Sequence, residues 1–244
     1  MALGAGLVVL GAVAWFGGGF TSPLPLVWCL SAGAGFAVGV SLLYRALAEG
    51  QMTEVAPITA IVAIAVPAFV DVLAGKAVTA QLVGGLVTAG LSAALLSGLT
   101  GDWSKSMRNR ATLLVAIGSG LGLALFYIGL DKVGAAGGGI WGVLLVRATA
   151  LVATASLALR RRSRALPPRT LGIAVGAGLL DGTATLLLMM AFATGGLAET
   201  AAVASLYPVA TIFLAIIVLR ERPSISQAIG LLLVIPAIFL LKAG

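Results

Sequence analysis

Apolar residues run through this chain in long blocks, separated by short clusters of charge, proline and glycine. The breaks delimit nine segments, approximately 2–20, 25–46, 54–73, 79–98, 111–130, 136–159, 170–193, 198–219 and 225–242. Each is close to the ~17–25 residues an α-helix needs to cross a hydrocarbon core. Membrane-spanning strands would be about 9–11 residues long with alternating polarity, and no segment alternates. The pattern predicts an all-α fold, a polytopic membrane bundle of about nine transmembrane helices.

Two stretches, 46–86 and 191–231, repeat one another at a constant offset of 145. Ala46 falls on Ala191, Ala48 on Ala193, Gly50 on Gly195, Glu54 on Glu199, Ala56 on Ala201, Gly85 on Gly230 and Leu86 on Leu231. Alanine and glycine matches carry little weight in a chain rich in both. The two glutamates, each opening a long apolar run, carry more. The matched runs are the third and eighth crossings, so an odd separation reverses their direction. The reading is two inverted halves, residues 1–100 with four helices and 111–244 with five. Such halves are the mechanical basis of alternating access in secondary transporters.

Composition sharpens the membrane reading. The chain is 60% hydrophobic and 9% charged, with a mean hydropathy of +1.15. A soluble domain carries about 25% charged residues to hydrate its surface. The net charge of +7 resides in short loops between apolar runs, as the positive-inside rule produces, so nucleic acid is excluded as a partner. Eleven Lys and Arg residues lie on the side of the N-terminus, with Arg160–Arg169 as the firmest marker. Three lie opposite: Lys76, Lys132 and Lys242. This places the N-terminus in the cytoplasm and the protein in the inner or plasma membrane. Segment 2–20 has no basic residue ahead of it and reads as a retained helix rather than a signal peptide.

The chemistry available is sparse. There is no histidine and one cysteine, Cys29, which excludes disulfides, paired-cysteine zinc sites and histidine catalysis. A phosphate-binding GxxxxGK[ST] loop is absent. No metal, no cofactor and no enzymatic activity are expected. Small residues recur at helical spacing in Ala2/Gly6, Gly35/Gly39, Gly118/Gly122, Gly172/Gly176 and Ala174/Gly178, a pattern that predicts close helix packing.

Two charges lie deep within apolar segments. Asp181 is near the middle of 170–193, beside Gly178, Thr183 and Thr185, and Arg147 is well inside 136–159. Arg147 precedes Arg160 by 13 residues, and Asp181 follows Arg169 by 12. At about 1.5 Å per residue both sit roughly 18–20 Å from the same loop, on consecutive antiparallel helices, so they pair if both face inward. A carboxylate at such depth costs at least ~2.5–3.5 kcal/mol and needs a partner, a cavity or a proton. Two roles stay open: a midplane pair that opens on substrate or proton binding, or a permanent structural pair. At offset 145 the counterpart of Asp181 is Phe36.

Glu54 and Glu199 are candidate substrate contacts, but each opens its helix, where a carboxylate offsets the helix dipole by roughly 0.3–1 kcal/mol. That structural role is the stronger reading. Tyr207-Pro208 is expected to break segment 198–219, and Pro57 and Pro67 to break 54–73, since proline removes a backbone bond; two readings stay open, an interruption that marks a binding site and a kink that serves packing. Trp141 and Tyr44 are candidates for stacking on a solute, with the membrane-interface anchoring common to aromatic residues near helix ends as the alternative. Trp15, Trp28 and Trp103 read as interface anchors.

The sequence Leu43-Tyr44-Arg45-Ala46-Leu47-Ala48-Glu49-Gly50, followed by Val55-Ala56-Pro57-Ile58-Thr59, resembles the first-half signature of EamA-type transporters of the drug/metabolite transporter superfamily. Ala204-Ser205-Leu206-Tyr207-Pro208-Val209-Ala210-Thr211, then Leu219-Arg220-Glu221-Arg222, Gln227 and Gly230, resembles the second-half signature more closely. The resemblance implies a secondary active transporter exporting a small metabolite or drug-like compound, with protons as a candidate coupling ion and a homodimer as a compatible state. It also implies ten helices. Aligned by the repeat, segment 111–130 lacks a counterpart, so the chain reads as helices two to ten of that plan. A start codon placed too far downstream ranks first among three accounts of this, ahead of a truncated gene and a protein that works with nine helices. A truncated, non-transporting remnant is the competing reading.

Overall fold

A computed structural model describes Gly11 and residues 25–48, 52–96, 110–160, 168–214, 216–217, 220 and 224–243. Helices dominate, and no strand occurs among the described residues. In chain order they are α1 (Leu26–Ala48), α2 (Met52–Leu73), α3 (Ala80–Leu96), α4 (Arg110–Ala135), α5 (Gly139–Arg160), α6 (Pro168–Gly195), α7 (Leu197–Ala204), α8 (Pro208–Leu214) and α9 (Ile225–Ala243). Hydrocarbon offers a backbone N–H or C=O no partner, so apolar segments satisfy these groups internally as helices.

Among the described residues six helices are long and apolar enough to cross a membrane, in α1, α2, α4, α5, α6 and α9. The other three expected crossings stand differently. Apart from Gly11, segment 2–20 lies outside the described residues. Segment 79–98 forms the shorter apolar helix α3 of 17 residues. Segment 198–219 is divided: α7 ends at Ala204, Ser205–Tyr207 form a turn, and α8 opens on Pro208. A proline pushes the residue before it out of helical geometry but is tolerated in a first turn, so the break falls where the sequence places it. At Pro57 and Pro67 it does not. Both are fully buried inside an unbroken α2, where packed neighbours and local adjustment compensate for the missing donor.

Packing divides the chain into two compact units that interleave in sequence. One comprises Met1–Val38 and Leu125–Thr194, the other Gly39–Ala124 and Gly195–Gly244. Each draws helices from both sides of residue 105.

In the second unit α3 and α9 pack along their lengths. A methyl group on Gly85 would lie 2.8 Å from the Leu241 side chain, and one on Gly230 would lie 3.0 Å from Leu96. The start of each helix therefore meets the end of the other. Gly85 and Gly230 are 145 apart, as are Leu96 and Leu241, so residues separated by one constant offset exchange reciprocal contacts. The Ser92 hydroxyl donates to the Gly230 carbonyl at 2.8 Å, a bond that supplements packing where no hydrophobic force drives helices together. Nearby, Thr59 donates to the Ala116 carbonyl and Ser119 to that of Gly39.

In the first unit Gly33 brings α1 against α5. A methyl group there would lie 2.5 Å from both Thr149 Cβ and the Val146 carbonyl. Gly129 brings α4 against Ala32 and Trp28 in the same way, at 2.7 and 3.0 Å. Phe36, Phe126, Tyr127 and Phe192 form a continuous aromatic run with ring centroids 5.0, 5.7 and 6.1 Å apart. The small-residue faces expected from sequence divide into two kinds. Gly39 and Gly118 sit in close packing, whereas Gly172 and Gly176 have no neighbour within 4 Å of an added methyl.

Candidate functional site

α5 presents a buried stripe of Val143, Val146, Arg147 and Ala150, the i, i+3, i+4, i+7 spacing of one helix face. Arg147 is thus carried into the interior by the same periodicity that buries its aliphatic neighbours. On α6, Asp181 and Thr185 lie one turn apart. The Arg147 guanidinium donates from Nη1 to Asp181 Oδ2 at 2.5 Å and from Nη2 to the Asp181 backbone carbonyl at 2.6 Å and to the Thr185 hydroxyl. Thr185 in turn donates to the Asp181 carbonyl at 2.9 Å. The pairing expected from distance along the two helices forms.

Phe36 supplies the remaining wall. Its ring lies 4.6 Å from the guanidinium carbon, a cation–π contact that gains strength when desolvated. Arg147 is therefore held between Asp181 and Phe36, two residues 145 positions apart. One offers a carboxylate, the other a π-face, and both serve the same cation.

Exposure separates the partners. The Arg147 side chain is 3% exposed and that of Asp181 40%. Arg147 Nε is buried with no hydrogen-bond partner among the described residues. The cation is sealed and the acid is open.

The other candidates fall elsewhere. Trp141 is in the first turn of α5, in the same unit as the ion pair. Tyr44, Glu54, Glu199, Tyr207 and Pro208 belong to the second unit. Tyr44 is 65% exposed near the end of α1, Tyr207 occupies the α7–α8 break, and Glu54 lies in the first turn of α2. Trp28 is exposed near the start of α1, while Trp15 and Trp103 lie outside the described residues.

Glu199 sits in the first turn of α7 and is paired with Lys76 at 2.5 Å, with Asp71 3.7 Å from the same ammonium. Asp71 Oδ2 also accepts the Ala198 N–H at 2.8 Å. The helix-start role expected of Glu199 is thus shared: Asp71, from the end of α2, caps α7 and places charge at its positive end. Sequence reasoning missed Asp71 and Lys76, whose only signal was two charges at the close of an apolar run.

Gly196 closes this cluster with φ 74° and ψ 166°, a region essentially reserved to glycine. A methyl group there would also lie 2.7 Å from Glu199 Oε2 and 2.8 Å from Lys76 Nζ. Gly196→Ala is expected to destabilise the protein by about 1–3 kcal/mol. Chemical denaturation in detergent measures it, and an unchanged midpoint would refute the strain.

A groove of about 770 Å³ between α2 and α3 is lined only by apolar residues, among them Ile61, Phe69, Val83 and Leu91. It holds no group that could orient a polar solute. No cluster of three or more metal-ligating side chains exists among the described residues.

The EamA-like transporter family model matches residues 110–243, more than half of the chain. The chain belongs to the EamA-like transporter family. It is an integral membrane protein of a family of transporters rather than enzymes. Curated proteins give no match. The EamA-like region runs from α4 through α9 and contains Trp141, Arg147, Asp181, Glu199, Tyr207 and Pro208, whereas Tyr44 and Glu54 precede it. It is also the part of the chain whose sequence resembles the family signature more closely.

Proposed function

We propose that this protein is a secondary active transporter that exports a small metabolite or drug-like solute across the cell membrane by alternating access. The observation that carries this reading is the Arg147–Asp181 pair, a half-open carboxylate held at membrane depth by a sealed arginine. Ionisable residues inside membrane segments mark substrate or ion pathways by default. Asp181 is the group that responds to substrate or proton, and Arg147 holds it in place. The reciprocal α3–α9 contacts support an inverted repeat of four and five helices, and the distribution of basic residues supports a cytoplasmic N-terminus.

Uptake into inverted membrane vesicles, with and without a pH gradient, across a panel of amino acids and dyes tests the proposal. Gradient-dependent accumulation of at least one solute is expected, with Asp181→Asn losing the dependence. Normal transport by that variant with unchanged pH dependence would make the pair structural. Absence of accumulation for the whole panel would remove the transport reading.

A further inference from the structure

The two members of the ion pair are not equally available to a solute. The Arg147 guanidinium meets Asp181 Oδ2, the Asp181 carbonyl, the Thr185 hydroxyl and the Phe36 ring, and its Nε, without a hydrogen-bond partner among the described residues, is buried. An anion would have to displace these contacts and strip the 3%-exposed side chain from its packing. Asp181 presents the opposite case. Its Oδ2 faces Arg147, no bond to Oδ1 occurs among the described residues, and the side chain is 40% exposed.

A carboxylate so exposed at membrane depth cannot rest against acyl chains, because an ion in hydrocarbon is too costly. Its open side requires water or a counter-charge. Three of the four Arg147 contacts use neutral groups, so they hold the guanidinium in position while the carboxylate is shared with a second cation. From these observations we infer that the site selects cationic solutes, amines, amidines or guanidines, which bind Asp181 from its open side and leave Arg147 in place. A planar amidinium or guanidinium suits it best, since such groups meet a carboxylate through directed, charge-assisted hydrogen bonds.

This inference rests on the reading of Asp181 as part of the solute pathway, but it fails separately. Benzamidinium and benzoate are close in shape and opposite in charge. Their binding to the detergent-solubilised full chain at neutral pH, followed by calorimetry, decides between the two signs. Benzamidinium is expected to bind and benzoate not. Asp181→Asn should weaken benzamidinium by at least about tenfold, as loss of a charge-assisted bond requires, and Asp181→Glu should restore part of it. Benzoate binding as well as or better than benzamidinium in the unmodified chain overturns the inference without recourse to any variant. So does a benzamidinium affinity that Asp181→Asn leaves unchanged. If benzamidinium binds as expected but no solute accumulates in vesicles, the cation site stands and the transport reading falls. If another solute is transported while benzamidinium does not bind, the reverse holds.

Discussion

Asp181→Ala is expected to destabilise the solubilised protein by about 3 kcal/mol, and Arg147→Met by only about 1–2 kcal/mol. The asymmetry follows from burial. Breaking a buried ion pair costs roughly 3–5 kcal/mol when the charge left behind is sealed from water. Arg147, at 3% exposed, is such a charge. The neutral contacts from Thr185 and the Asp181 carbonyl hold its geometry, but do not compensate its charge. The 40% exposure of Asp181 leaves the site partly open, which puts the estimate at the low end of the range. Removing Arg147 instead leaves an acid that is 40% exposed rather than sealed, while methionine fills most of the vacated volume beside Phe36. The double variant should be more stable than Asp181→Ala alone. Unfolding free energies for the four proteins, arranged as a double-mutant cycle, measure this. Equal losses from the two single variants would contradict the sealed-cation, open-acid arrangement.

Gly33→Ala is expected to cost about 1–3 kcal/mol and to disturb the ion pair. The added methyl would lie 2.5 Å from the Val146 carbonyl and 2.5 Å from Thr149 Cβ. Neither atom is the end of a flexible side chain, so α1 and α5 must separate locally. Val146 directly precedes Arg147, so that separation moves the guanidinium relative to Phe36 on α1 and Asp181 on α6. Gly176→Ala is the control: no atom stands within 4 Å of its added methyl, and replacing a helical glycine with alanine is neutral or slightly stabilising. Thermal unfolding of both variants, with benzamidinium binding as a second readout, separates them. A Gly33→Ala protein as stable as Gly176→Ala would show that the α1–α5 contact is not close.

The sequence exposed some features of this molecule because they depend on local periodicity. Segment lengths located the six long apolar helices, and the proline at 208 located the interruption that divides α7 from α8. Proline 57 and proline 67 carried the same local signal without the same result. Whether a missing donor breaks a helix depends on the neighbours packed around it, which no local pattern records. Gly172 and Gly176 make the complementary point: their four-residue spacing equals that of Gly35 and Gly39, yet no helix lies against them among the described residues.

The candidate site was legible in part. Similar distance from one loop brought Arg147 and Asp181 to the same depth on consecutive helices, which made the pairing possible once both faced inward. Rotation about that axis was not legible, and it decides which partner is sealed. Glu199 was legible as a helix-start acid, but its partners Asp71 and Lys76 were not, since the cluster joins residues more than 120 positions apart through contacts that only packing creates.

By itself the sequence determined that this is a helical membrane protein, because hydrocarbon burial and loop charge are written in composition and spacing; its resemblance to a transporter family lay in the signature residues around Tyr44 and Tyr207. Only the tertiary structure decided that Phe36 and Asp181, on helices far apart in the chain, converge on one arginine. It also decided that the acid rather than the base is the open member of the pair. Exposure belongs to the arrangement of several helices around a residue, and no single segment contains it.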